Sequence, residues 1–227
     1  MRYVRIIDNM SLVHHPVVVA VSGFSSNVGK TTLVCELLKR LPGWEAIKLS
    51  RGHYRSCGKD PIACCVSNLI GAEPVVRTGR EANYERGKDT GRFWDVGATN
   101  VHWTIVNDEQ VEQGIKEAIS RVRAPGVIIE GNSFLQFVDA DLAIMCARSD
   151  GGKVKPSARQ VLSKSDVLYI SSLNADSRGA HEEFDRWRST LSVDLRLDHL
   201  PVLTFEDLPR LVEMIENVRS ANNLQLV

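Results

Sequence analysis

The chain lacks any hydrophobic run long enough to cross a bilayer. Its first strongly apolar stretch, Pro16 to Ser22, ends at a glycine, far short of the roughly 20 residues that a spanning helix needs. It also lacks an excess of either charge. Its 28 Lys plus Arg balance its 28 Asp plus Glu, so no general pull toward nucleic acid or an anionic membrane is expected. A Cys-x-x-Cys pair is missing too. The five cysteines, Cys35, Cys57, Cys64, Cys65 and Cys146, are an odd number in a mid-sized chain, which suits reduced thiols in a cytoplasmic setting better than a disulfide framework. Neighbouring helix positions diverge by about 100°, so Cys64 and Cys65 are poorly placed to share one ion, and no zinc or iron–sulfur site is expected. The first apolar run has no small-residue cleavage site after it, so no signal peptide is expected either. Repeats, low-complexity tracts and linkers do not occur.

What remains is the composition of one α/β domain: 227 residues, 43% hydrophobic and 25% charged, enough to bury about 70% of the unfolded surface. Residues 1–15 read as a short lead-in or an edge strand. Strands are expected at Pro16–Ser22, Ala46–Leu49, Val101–Ile105, Gly126–Glu130, Leu142–Ala147, Asp166–Ser171 and Pro201–Thr204, from β-branched runs or alternation. Helices are expected at Gly29–Leu41, from Asp60-Pro61 to Ile70, at Glu109–Arg123, Ala180–Ser189 and Leu208–Val218, each with an apolar stripe at helical spacing. Alternating strands and helices predict a doubly wound, mostly parallel sheet of about seven strands. Residues 72–100, rich in Gly, Arg and acidic side chains, carry no long apolar period. The wider 54–100 stretch is therefore expected to be a mobile or ligand-covering insertion.

The most informative segment is Gly23-Phe24-Ser25-Ser26-Asn27-Val28-Gly29-Lys30-Thr31-Thr32, set between a Val-rich strand and an amphipathic helix. This is the P-loop arrangement. Free backbone N–H groups and the helix dipole favour an anion at the helix start. Ser25 to Thr32 would line a nucleotide's phosphates, with Lys30 reaching the terminal ones and the Thr31 hydroxyl serving Mg²⁺. Gly29 lets the backbone pass close to phosphate oxygens, and Val28 points away. One detail departs from G-x-x-x-x-G-K-[ST]: five residues separate Gly23 from Gly29, which puts Phe24 where the first glycine would stand.

Other residues join this turn by position. Glu130 ends a wholly apolar strand and is placed to hold a metal-bound water or orient an attacking one. Asp89 and Arg92 lie in a Gly-Lys-Asp-Thr turn, where they would complete the metal site and grip the γ-phosphate; a solvated loop with an internal ion pair is the plainer alternative. Lys48 and His53 flank the end of the second strand, on the side where open α/β sheets bind ligands, and would serve a second substrate. Arg77, Arg80 and Arg86 add positive charge that could hold a second phosphorylated substrate, but Glu81 and Glu85 dilute the patch, and a solvated loop is the plainer alternative. Asn174 and Asp176 follow a late strand and would suit a guanine edge, but a polar turn explains them equally well.

The loop G-F-S-S-N-V-G-K-T-T resembles the five-residue-spaced loop of the dethiobiotin synthetase and cobyric acid synthetase group. Ser25 stands where the related plasmid-partitioning ATPases carry an extra lysine, so no lysine is expected to reach a partner's nucleotide. "AIKLSRGHY", "RGKDTGRFWDVGA" and "VIIEGNSF" resemble, in order, segments of the molybdopterin-guanine dinucleotide biosynthesis adapter protein B family. The longer loop, the Leu-Ser-Arg-Gly stretch and the enlarged 54–86 region depart from that pattern. The resemblance implies a P-loop nucleoside triphosphate hydrolase fold and Mg²⁺-dependent GTP binding with slow hydrolysis. It also implies a molybdopterin-type or other small anionic substrate, and a homodimer. Lys30, Asp89, Arg92 and Glu130 would act on the phosphate, with Thr31, Glu130 and Asp89 at the metal. Two alternatives stand beside it: a small ATP-dependent ligase or kinase, and a scaffold that binds nucleotide without turnover.

Overall fold

A computed structural model describes residues 15–52, 66–172 and 176–224. Eight strands form one sheet: β1 (Val17–Gly23), β2 (Glu45–Arg51), β3 (Val75–Thr78), β4 (Val101–Val106), β5 (Gly126–Glu130), β6 (Leu142–Arg148), β7 (Val167–Ser171) and β8 (Val202–Leu203). Their spatial order is β3-β4-β2-β5-β1-β6-β7-β8. Every pairing is parallel except β3 with β4.

The Val-rich β1 is buried along its whole length, as a central parallel strand covered on both faces must be. One face of the sheet packs Val18, Ala20, Ile47 and Ile129 against α4 (Val111–Ser120) and α6 (Ser177–Arg188). The other face packs Val17, Val19, Val21 and Ile128 against α1 (Lys30–Arg40), α3 (Asp89–Asp95) and α8 (Leu208–Leu224). The chain is therefore a doubly wound α/β sheet, as its alternating pattern predicts. Among the described residues, no helix is long and apolar enough to cross a membrane.

The count of about seven strands is corrected to eight by β3. This strand has four residues, all only partly buried, so it shows neither a period nor an apolar run. It is antiparallel to β4 at the sheet edge. Residues 80–95 then form α2 (Arg80–Asn83) and α3. Asn83 organises this corner. Its Nδ2 donates to the Arg77 and Val101 carbonyls, its Oδ1 accepts from Trp94 Nε1 at 2.7 Å, and its carbonyl accepts from Thr90 Oγ1 at 2.7 Å. With Phe93 fully buried behind them, these bonds fix how α3 presents Asp89 and Arg92. The expected lead-in strand over 1–15 and most of the helix opening at Asp60-Pro61 lie outside the described residues. Within 66–70 there is a 3-10 turn at Ser67–Leu69.

Candidate functional site

The C-terminal ends of β1, β2, β5, β6 and β7 open into a cavity of about 1100 Å³, the side where such sheets take their ligands. Its floor is the turn between β1 and α1. Asn27 (φ 60°) and Gly29 (φ 83°) are left-handed, and Gly29 caps α1 without any side-chain bond. The amides at the helix start thus keep no internal side-chain acceptor. A Cβ on Gly29 would also sit 3.1 Å from Ser171 Cβ.

Phe24, which stands where the standard pattern has its first glycine, does not face the cavity. Its ring is 4% exposed and lies 5.9 Å from the Trp187 ring of α6, while its amide donates to the Cys146 carbonyl at 2.9 Å. Val28 is buried against α1's face of the sheet. The two apolar residues fasten the loop from opposite faces and leave Ser25, Ser26, Asn27, Lys30, Thr31 and Thr32 on the cavity wall.

Lys30 curls over the loop, with Nζ 3.0 Å from the Ser25 carbonyl. Burial lowers its pKa, partly opposed by Glu130. An ammonium held by one carbonyl in such a place is short of negative charge.

Beside it, four side chains from four elements meet. Lys48 of β2 places Nζ 2.5 Å from Glu130 Oε1 and 2.5 Å from Asp89 Oδ2. Glu130 Oε2 accepts from Thr31 Oγ1 at 2.9 Å. Burial alone would lower the Lys48 pKa, but the Glu130 and Asp89 carboxylates outweigh it and hold it above the usual lysine value. Burial would raise that of Asp89, and Lys48 more than reverses this. Arg92 of α3 reaches the loop, with Nη2 3.3 Å from Thr32 Oγ1.

The residues picked from sequence are thus brought together: Lys30, Thr31, Lys48, Asp89, Arg92 and Glu130 all line one cavity with the loop. His53 lies outside the described residues, as does Asn174. Asp176 caps α6, its Oδ1 accepting from Gly179 N at 2.8 Å, so the polar-turn reading describes its present bond.

Several contributors were not picked from sequence. Asn132 clamps Gly23 through both its donor and its acceptor, each at 2.9 Å. Lys155 lays its amide on the Phe24 carbonyl at 2.8 Å and its Nζ on Ser26 Oγ at 2.7 Å. Lys153 and Arg148 line the same cavity. The Gly151-Gly152-Lys153-Val154-Lys155-Pro156 run was the available signal for the lysines, since two glycines before alternating lysines mark a chain made to pass close to something.

The donors around Lys48 suit a small divalent cation. One hydroxyl and two carboxylates are hard oxygen ligands of the kind Mg²⁺ takes alongside phosphate oxygens and water. An ammonium already drawn between the carboxylates shows that the position attracts positive charge. Among the described residues, no cluster of three His, Cys, Asp or Glu could hold a metal by itself.

No protein-family profile matches this chain, and no curated protein matches its sequence. Among solved structures, it is similar to the "apo" form of LpxK from Aquifex aeolicus in complex with ATP, at 14% identity and a TM-score of 0.46 over 83% of this chain and 53% of that one. It is similar to HypB from Helicobacter pylori in complex with nickel, at 12% identity and a TM-score of 0.41 over 94% and 88%. A third is a plasmid partition protein from Borrelia burgdorferi, at 10% identity and a TM-score of 0.41 over 92% and 99%. The chain spans about half the length of the LpxK chain it matches. Its own topology, a doubly wound sheet whose central strand feeds a glycine-lysine-threonine turn and a helix, is the P-loop nucleoside triphosphate hydrolase fold.

Proposed function

We propose that this protein binds a nucleoside triphosphate together with Mg²⁺ and turns it over slowly at most. The observation that best supports this is Lys30: a half-buried ammonium with, among the described residues, one carbonyl partner, poised over a left-handed turn. A polyphosphate supplies the charge that this arrangement lacks. Loop amides and Lys30 would hold the β- and γ-phosphates, and Lys155 would add a cation from the β6–β7 connection. Thr31, Glu130 and Asp89 would hold the metal directly or through water, and the bound metal would offset phosphate charge. Arg92 would grip the γ-phosphate.

Slow hydrolysis follows from Lys48. Both carboxylates near the reacting end are paired to its ammonium, and Asp89 is held below its usual range. Asp89 is thus a poor proton acceptor for water, and the Glu130 oxygens are taken up by Lys48 and Thr31.

By its resemblance to the molybdopterin-guanine dinucleotide adapter family, the nucleotide is GTP, the setting is cytoplasmic and the working form is a homodimer with a molybdopterin-type or other small anionic substrate. A kinase or ligase reading with ATP is favoured by one observation, a second cavity beyond Lys48.

Titration calorimetry with ATP and GTP in Mg²⁺ tests the first claim. Lys30→Ala is expected to lose affinity by about 10- to 100-fold, the worth of one charge-assisted contact. Undiminished affinity overturns the assignment.

A further inference from the structure

A second cavity, of about 450 Å³, lies on the far side of Lys48 and Asp89, which wall both cavities. Its floor is Trp103 of β4, whose Nε1 donates to Ser50 Oγ at 2.9 Å. Over that ring lies the Arg77 guanidinium, 5.5 Å from the ring centroid. Among the described residues no carboxylate pairs with Arg77 and its fork donates no hydrogen bond, so its donors are unspent. The other charges among the described lining residues are matched. Lys48 faces Asp89 at 2.5 Å, and Lys88 sits 4.0 Å from Glu85. Among the described residues, Arg77 is the charge left over. Its backbone is fixed, since its carbonyl accepts from Asn83 Nδ2 at 2.9 Å. A planar, preorganised fork on an aromatic plate is a receptor for an oxyanion, taken bidentately.

The geometry points to this cavity as the site of a second substrate: a small organic oxyanion, a carboxylate or phosphate monoester, with a flat or apolar body against Trp103. Arg77 binds its anionic group. The rest of the molecule faces Lys48 and Asp89, across which the nucleotide's terminal phosphate would lie. This placement rests on the nucleotide reading above. The anion site itself does not.

The test uses phenyl phosphate and benzoate as probes, on full-length protein whose phosphate loop is weakened by Lys30→Ala, and the Arg77 variants in that background separate binding here from binding at the loop. Binding is followed by calorimetry and by Trp fluorescence. At least one probe is expected to saturate, and the two arms separate a phosphate from a carboxylate preference. Adding Arg77→Gln is expected to weaken binding roughly tenfold or more, and Arg77→Lys to weaken it less, because the charge survives without the fork. Thermal melts check that each variant folds. If neither probe binds the Lys30→Ala protein, or if Arg77→Gln binds as well as its parent, the site is overturned. The wild-type titration with ATP and GTP is read separately. Probe binding without nucleotide binding sinks only the nucleotide reading, and the reverse sinks only this one.

Discussion

Strand β2 carries a buried charged residue at its start and a partly buried one at its midpoint, where it enters the cavity, and the two places solve the same problem in opposite ways. At its start, Glu45 is fully satisfied. Oε2 meets His102 Nε2 at 2.7 Å, and Oε1 accepts the Arg123 and Ala124 amides at 2.9 Å each. His102 Nδ1 in turn meets Thr78 Oγ1 at 3.0 Å. His102 and Glu45 are almost wholly buried, and this network is closed. Three residues on, Lys48 is just as tightly paired, but its partners line an open cavity and Asp89 remains 41% exposed. A closed network has no unmet valence to offer a ligand and serves the fold. An open one holds charge in a balance that an incoming phosphate and cation would rearrange. The difference lies in what surrounds each pair, since the residue types are similar.

The largest expected effect breaks the closed network. Glu45→Ala strands His102 and two backbone amides in the interior, which should cost about 3–5 kcal/mol of stability, the range for opening a buried pair. Chemical denaturation measures it. Nucleotide affinity per folded molecule should hold, because the cavity lies at the other end of the strand. A pH series sharpens the point. Burial pushes the Glu45 carboxyl up, but the His102 contact and the two amides more than reverse this and hold it below the usual glutamate range. A carboxylate depressed on folding contributes stability above its unfolded pKa of about 4.3, and that contribution disappears as pH falls through the lower folded value. The wild-type protein should therefore lose stability at the acid end more steeply than Glu45→Ala does. Equal acid limbs would place the network's worth elsewhere.

Opening the other network should do less to the fold and more to ion binding. Lys48→Met keeps most of the volume and removes the ammonium. Glu130, 2% exposed, and Asp89 are then left facing each other. The expected stability loss is about 2–3 kcal/mol, below that of a closed pair because water reaches Asp89. Millimolar Mg²⁺ should raise the melting temperature of this variant more than that of the wild type, since the cation takes over the lost neutralisation. An identical Mg²⁺ response in both proteins would remove these carboxylates from the metal site.

The two networks were not equally legible in the sequence. The open one announces itself, because Gly29-Lys30-Thr31 between an apolar strand and an amphipathic helix is a local pattern with a local cause. Glu130 closes an apolar run, and Lys48 interrupts another, so both stand out against their neighbours. The loop's anchoring by Phe24 and Trp187 was hidden. It joins residues far apart in the chain, and the spacing showed only that Phe24 replaced a glycine. The Glu45–His102 network was equally hidden, since neither residue departs from an ordinary strand pattern until β2 and β4 are laid side by side in register. The edge strand β3 escaped because four half-buried residues carry no periodic signal. Local chemistry was thus readable, whereas contacts made by strand pairing and helix docking needed the fold.

The smallest expected effect tests the start of α6. Asp176 caps α6 by accepting from Gly179 N, and α6 carries Trp187, whose ring lies against Phe24. Asp176→Ala should therefore cost about 1 kcal/mol, the usual worth of a helix cap. If Asp176 also recognises the nucleotide's base, the variant should lose affinity for GTP while its affinity for ATP stays level, a selectivity that a frayed helix end would not produce. If capping is its whole role, stability falls by that amount and the two nucleotides weaken together or not at all. Denaturation and calorimetry on one variant thus separate the two roles, because fraying acts on the loop through Phe24 and cannot tell one base from another.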